Sequence, residues 1–174
     1  MRTFITAFLL CFLTHFANSQ ERLTSLKTKL LEADTVLIVS HQQTHGIVIR
    51  DEKTGKDIPL PKLVTNNRPN REIIYEERVI TDTALHRLTQ ILTRPFEDTE
   101  IEKMMCFMPH HAILIIKNNK TSFIDICFGC LGIETSQNIK MTANDIDKRK
   151  WTELEAFFLQ QNIKYKLVKE SEEE

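Results

Sequence analysis

Five side chains with metal-ligating or nucleophilic chemistry crowd one stretch of the chain: Cys106, His110, His111, Cys127 and Cys130. Three chemistries compete for them. A structural disulfide, with Cys106 paired to Cys130 or Cys127, would staple two chain segments together. A tetrahedral zinc ion could be held by the three cysteines and one of the two histidines, and Cys127-Phe128-Gly129-Cys130 has the spacing of a metal knuckle in which Gly129 eases the bend. Thiol–disulfide exchange at Cys127 and Cys130 is the third, but a thioredoxin-like Cys-x-x-Cys opens a helix in a βαβ unit, whereas this pair follows an extended run. Buried, inert thiols are the plain alternative. No haem attachment is implied, because Leu131 rather than His follows Cys130.

These residues sit around two apolar runs, Ala112–Ile116 and Phe123–Cys127, separated by the polar Lys117–Ser122. An Asn-containing turn between β-branched runs predicts a hairpin. With the turn centred on Asn118–Lys120, Ala112 lies opposite Cys127 and Pro109 opposite Cys130. Cys106, His110, His111, Cys127 and Cys130 then gather where the paired strands splay apart, provided the register does not slip. Asp125 interrupts the second run on the face shared by Phe123 and Cys127. It could orient a histidine from behind, but a solvent-facing position is the expectation. His41 and His45, flanking Gln42-Gln43-Thr44, read as part of a polar loop. A Cys106–His110 nucleophile and base pair lacks an orienting third group and an oxyanion-hole segment. Asn119-Lys120-Thr121 satisfies the glycosylation sequon, at the hairpin tip.

The segment CFMPHHAILIIKNNKTSFIDICFGCLGIETS resembles a pattern in uncharacterised exported bacterial proteins. The shared features are a Cys-aromatic-x-Pro-x-His lead into a strand and a strand ending in acidic-Ile-Cys-Phe-x-Cys. The resemblance covers about a fifth of the chain and implies that the segment is one unit. It implies no activity and does not choose between metal and disulfide.

The elements that would position the cluster follow from periodicity. Glu21–Ala33 carries Leu23, Leu26, Leu30 and Leu31 at helical spacing. Val36–Val39 is a strand-length apolar run, and Gly46–Ile49 continues extended. Asp51–Asp57 is a turn, Pro59 and Pro61 keep Ile58–Leu63 out of a central strand, and Asn66–Asn70 is a loop. Glu72–Ile80 suits an edge strand. Thr81-Asp82 opens a helix whose stripe is Leu85, Leu88, Ile91 and Leu92, ended by Pro95, and Glu97–Glu102 is an acidic connection. Asp145–Gln161 is a helix whose Trp151, Leu154, Phe157, Phe158 and Leu159 give a broad apolar face toward a core, and Ile163–Val168 is expected to add a last strand. The sum is a single α+β domain with a mainly antiparallel sheet and about three amphipathic helices.

Met1–Ser19 has a short basic start, an apolar run from Phe4 to Phe16 and a small-residue exit at Ala17-Asn18-Ser19, the layout of a cleaved secretory signal. Cys11 does not suit lipid attachment, since the bulky Leu10 precedes it. The expected organisation is a signal peptide over residues 1–19, a domain over 20–169 and an acidic tail over 170–174. Cleavage of 19 from 174 residues leaves 155 and removes one of four cysteines. The three that remain meet an oxidising compartment, periplasmic or extracellular. An odd number of them implies a spare thiol, a metal site or an intermolecular bridge.

With 41% hydrophobic and 27% charged residues the chain is neither disordered nor a polytopic membrane protein. A net charge of −1 argues against a nucleic-acid partner, and no membrane span is expected after cleavage. Phosphate-binding Gly loops, Gly-x-Ser-x-Gly, His-Glu-x-x-His and EF-hand patterns are missing from the sequence. The expected function is therefore an exported, non-enzymatic binding or structural module with a Cys/His cluster bracing a hairpin, its partner a protein of the cell envelope. The competing expectation is an exported metal- or thiol-dependent enzyme using His110, His111 and the three cysteines. Zinc is the one cofactor the cluster suits.

Overall fold

A computed structural model describes residues 21–45, 49–51, 53–96 and 106–167. The expected signal segment 1–19, the connection at 97–102 and the tail 170–174 lie outside the described residues. In chain order the elements are helix α1 (21–31), β1 (Thr35–His41), β2 (Ile49–Arg50), β3 (Asp57–Ile58), β4 (Val64–Thr65), β5 (Arg68–Pro69) and β6 (Ile74–Ile80). They continue with α2 (Asp82–Thr93), β7 (His111–Lys117), β8 (Lys120–Cys127), β9 (Gly132–Thr135) and α3 (Lys148–Gln160). Five strands form one sheet in the order β6-β1-β7-β8-β9, and each neighbouring pair is antiparallel. The fold is α+β, and Ile74–Ile80, within the expected Glu72–Ile80, supplies an edge strand.

Strand alternation divides the sheet into two apolar faces. Val36, Ile38, Ile113, Ile115, Ile124 and Ile126 meet the helices, where Leu30, Leu88, Leu92, Leu154, Phe157 and Phe158 complete the main core. Leu37, Val39, Ala112 and Leu114 point the other way and are covered by Leu63 and Ile73. Both faces of β1 and β7 are thus buried, which explains their unbroken apolar runs. The helix ends obey local chemistry. Asp147 caps α3, its carboxylate accepting from Lys150 N at 2.7 Å, and Pro95 follows the last residue of α2 by two.

Two asparagine pairs make two-residue hairpin turns. Asn118 and Asn119 join β7 to β8 with φ of 51° and 59°, and Asn66 and Asn67 join β4 to β5 with φ of 51° and 62°. Asn tolerates this left-handed region better than other residues with a Cβ. The stretch Asn66–Asn70, expected as a loop, is thus partly strand. Its turn carbonyl at Asn67 accepts from Thr121 N at 3.0 Å, docking the small hairpin on β8.

Two expectations are corrected. Residues 163–167 form an irregular stretch and a turn rather than a strand. They are held by Glu76, whose carboxylate accepts from Lys164 N, Tyr165 N and Ser40 Oγ. The hairpin register also differs. Lys117 pairs with Lys120, so Ala112 lies opposite Asp125 rather than Cys127. The physical reason is the tight Asn-Asn turn, which uses fewer residues than the centre expected at Asn118–Lys120.

Candidate functional site

Where β7 begins and β8 ends, sheet alternation sends His110 and His111 to opposite faces. His111 is 2% exposed on the helix face. Its ring lies edge-on to Phe128 and Phe158, with Nε2–H donating to Tyr165 O at 2.8 Å. Burial in this apolar setting pushes its pKa down to about 4. His110 is half-buried, its Nδ1 lies 3.3 Å from His41 O, and burial also holds its pKa below the ordinary value. One ring nitrogen of each is thus turned to a backbone carbonyl, and both rings lie against Tyr165.

The cysteines also differ from expectation. Cys127 and Cys130 are joined to each other, with Cα atoms 5.5 Å apart, and Cys106 is free and exposed. The pairing of Cys106 with either partner is not what forms. Cys127 pairs with Gly132 in the β8–β9 hairpin, so residues 128–131 close a short loop that brings Cys130 back over Cys127. Leu131 takes φ of 52° to complete it. A disulfide sulfur is not a thiolate, so the Cys₃His zinc set exists only in the reduced protein. Among the described residues no group of three or more His, Cys, Asp or Glu side chains could hold a metal ion.

All three cysteines nonetheless line one cavity of about 310 Å³ at the open end of the β7–β8 ribbon. His110 and His111 line it too, so the five expected residues share one wall, which Met108, Phe128, Gly129 and Lys166 complete. Its volume is at the small end for ligand sites, which run from about 300 to 1,000 Å³. A second cavity of about 850 Å³ lies between α1 and the β7–β8 hairpin, lined by Ile115 and by the side chains of Ser, Thr, Asn, Lys and Glu residues, with neither His nor Cys.

Asp125 is not solvent-facing. Its side chain is wholly buried on the face away from the helices, two residues before Cys127. Its Oδ1 accepts from His41 Nε2 at 3.0 Å and from Ile126 N at 3.1 Å. The other oxygen, Oδ2, accepts from Thr44 Oγ1 at 2.8 Å and faces His45 Nδ1 at 3.7 Å. His45 Nε2 then reaches Glu134 Oε2 at 2.8 Å across the hairpin. Burial pulls the Asp125 pKa up, but these donors outweigh it and hold the group ionised.

His41 is equally buried, and both ring nitrogens face acceptors: Nε2 the Asp125 carboxylate and Nδ1 the Gln42 carbonyl at 2.7 Å. Only the imidazolium donates at both positions. Desolvation opposes that charge, but the bond to Asp125 wins and the His41 pKa rises. The His45 pKa is raised as well, first by Asp125 and then, against desolvation, by Glu134. The alternative weighed for Asp125, orienting a histidine, is the arrangement observed, with His41 and His45 as the histidines rather than His110 or His111.

Sequence reasoning missed the depth of this network. His41 ends β1 two residues after the buried Val39, and that phase was the available signal. Ser40 and His41 straddle an irregularity in the pairing with β6, which left the phase ambiguous. Thr44 and Glu134 carried no signal.

Phe107 closes the top of the site. Its ring lies 5.5 Å from the His45 ring, and a Cβ at Gly132 would stand 2.9 Å from Phe107 Cδ2. Gly132→Ala is therefore expected to destabilise the protein by about 1–3 kcal/mol, through displacement of the Phe107 ring. Urea unfolding measures it, and an unchanged midpoint would show that the ring moves freely.

No protein-family model, curated protein or solved structure matches the chain. Among the described residues no helix is long and apolar enough to cross a membrane.

Proposed function

We propose that the chain is an exported, non-enzymatic binding or structural module whose sulfur and histidine chemistry braces the β8–β9 hairpin. One observation carries this reading: the deep groups of the site are already satisfied by one another. The Cys127–Cys130 bond closes the loop, Asp125 accepts from His41, Thr44 and Ile126, and His41 donates at both nitrogens. A catalytic acid or base needs a free position toward substrate, and neither His41 nor Asp125 has one. Export rests on the layout of Met1–Ser19 and agrees with a disulfide, which persists outside the reducing cytosol. The outer wall, with Met108, His110 and Lys166 around a small cavity, is the surface left for an envelope partner.

Thiol counting and unfolding test the brace. One titratable thiol is expected in the denatured, unreduced protein. Replacing both Cys127 and Cys130 by Ser should cost about 2 kcal/mol, the low end for disulfides because the closed loop is so short. Three thiols with stoichiometric zinc would overturn the reading in favour of a metal centre, and an unchanged melting temperature would remove the brace.

A further inference from the structure

The brace leaves one sulfur without a role. Cys106 is exposed, free, and on the wall of the same cavity as the disulfide. Its neighbour Phe107 locates it relative to the two bonded sulfurs. The position of a Cβ at Gly132 is 2.9 Å from Phe107 Cδ2 and 3.7 Å from Cys130 Sγ, so the Phe107 ring and the Cys130 sulfur crowd one backbone site. The segment that carries Cys106 is thus laid against the Cys130 side of the disulfide. Cys127 lies on the other side of the bond, at the end of β8 and two residues from Asp125.

We propose that this cavity is a thiol–disulfide exchange site in which Cys106 opens the Cys127–Cys130 bond and presents the resulting disulfide to dithiols of partner proteins. This departs from the non-enzymatic reading at one point: the brace is then the resting, oxidised state of a disulfide that partner proteins draw on, and a brace alone needs no third sulfur. In the first step the Cys106 thiol gives its proton to His110, a cavity neighbour whose Nδ1–H is directed at the His41 carbonyl, leaving Nε2 as the basic nitrogen. The Cys106 thiolate attacks Cys130 Sγ. A Cys106–Cys130 bond forms as the Cys127–Cys130 bond breaks, and the electron pair leaves on Cys127, which takes the proton back from His110. Nothing is oxidised or reduced overall. The disulfide has moved from two buried residues to a pair with one exposed member.

The second stage needs a protein dithiol. One of its thiolates attacks Cys106 Sγ, forming a mixed disulfide and releasing Cys130 as the thiolate. Its second thiolate then attacks the mixed bond at the partner's own sulfur and restores Cys106. The partner leaves as a disulfide, having given two electrons that reside on Cys127 and Cys130 as thiols. Burial of the Cys127–Cys130 bond, at 6% and 3% exposure, makes direct attack by a bulky thiol slow, so the exposed relay sulfur sets the rate.

Dithiothreitol serves as the dithiol probe for the full mature chain. Samples are quenched with alkylating reagent over time, and peptide mass mapping follows each sulfur. Cys106→Ser, a change at an exposed site, is expected to slow reduction of the Cys127–Cys130 bond about tenfold or more, since it removes an attacking thiol of high effective concentration. Equal rates for the two proteins would overturn the proposal. A second arm equilibrates Cys127→Ser with oxidised glutathione. A Cys106–Cys130 bond is the expected product, and separate glutathione adducts on both residues would overturn it. If Cys127→Ser does not fold, the wild-type chain in a glutathione buffer replaces it. There a minor Cys106–Cys130 peptide is expected, and its absence counts against exchange. These readouts are independent of the brace, whose failure appears in melting temperature and not in the Cys106 dependence of reduction.

Discussion

Asp125→Ala is expected to lower stability by about 3–5 kcal/mol, the cost of removing one partner from a buried ion pair. The argument rests on what remains. His41 has no solvent exposure, and its two ring nitrogens face the Asp125 carboxylate and the Gln42 carbonyl. Without the carboxylate, its positive charge would be buried with no counterion. Losing the proton only exchanges one penalty for another, because the neutral ring donates from one nitrogen and turns the other nowhere useful. Thr44 and the Ile126 amide lose their acceptor in the same stroke.

Asp125→Asn keeps the shape and an acceptor for His41, so it should fall between wild type and Asp125→Ala. A double replacement, His41→Leu with Asp125→Leu, should recover a large share of the loss, since removing both charges leaves nothing unpaired. Urea unfolding near neutral pH measures these proteins together with the single His41→Leu and Asp125→Leu variants. A loss in the double variant equal to the sum of the two single losses would show that the two residues are not coupled, and the imidazolium assignment would fall.

How much of this was legible from the chain differs by distance. Local signals carried far: Thr81-Asp82 at the start of α2, Pro95 beyond its end and the Asn-containing turn at the hairpin tip each act within a few residues of the element they start or end. The sulfur cluster was legible as a neighbourhood, because one hairpin brings its members to one end of the sheet. Its internal connectivity was not. A shift of two residues in the turn moved Asp125 into the place expected for Cys127, and a four-residue loop after β8 joined Cys127 to Cys130.

His41 and Asp125 are 84 residues apart and meet only because β1 and β8 flank β7. No local pattern encodes that order. The cost of a misread face is also visible in Asp125 itself. Alternation placed it correctly beside Phe123 and Cys127, but whether that face meets solvent depends on covering residues such as Leu63 and Ile73, contributed by a distant loop.

Acid should destabilise the protein through His111, and its size can be stated. In the unfolded chain this ring binds its proton near 6.5, whereas in the fold burial among Phe128 and Phe158 holds the value at about 4. Between those pH values the unfolded chain carries more protons, so lowering the pH draws the equilibrium toward it. The integrated loss is about 3 kcal/mol at pH 4 relative to neutral. His110, also lowered by burial, adds to the same limb. The raised groups act in the other direction. Stabilisation from His41 and His45 is complete below the ordinary histidine value of 6.5 and is lost as pH rises through their folded values. Asp125 is lowered, so its contribution is present above 3.8 and lost as pH falls through its folded value. Stability should therefore peak near neutrality and fall on both sides. His111→Gln, which retains a donor without a titrating ring, should flatten the profile between pH 4 and 6.5. Urea midpoints taken across that window for both proteins check it. Parallel curves would mean that the His111 ring gains its proton without leaving its aromatic pocket, and the acid limb would then have to come from the remaining groups alone.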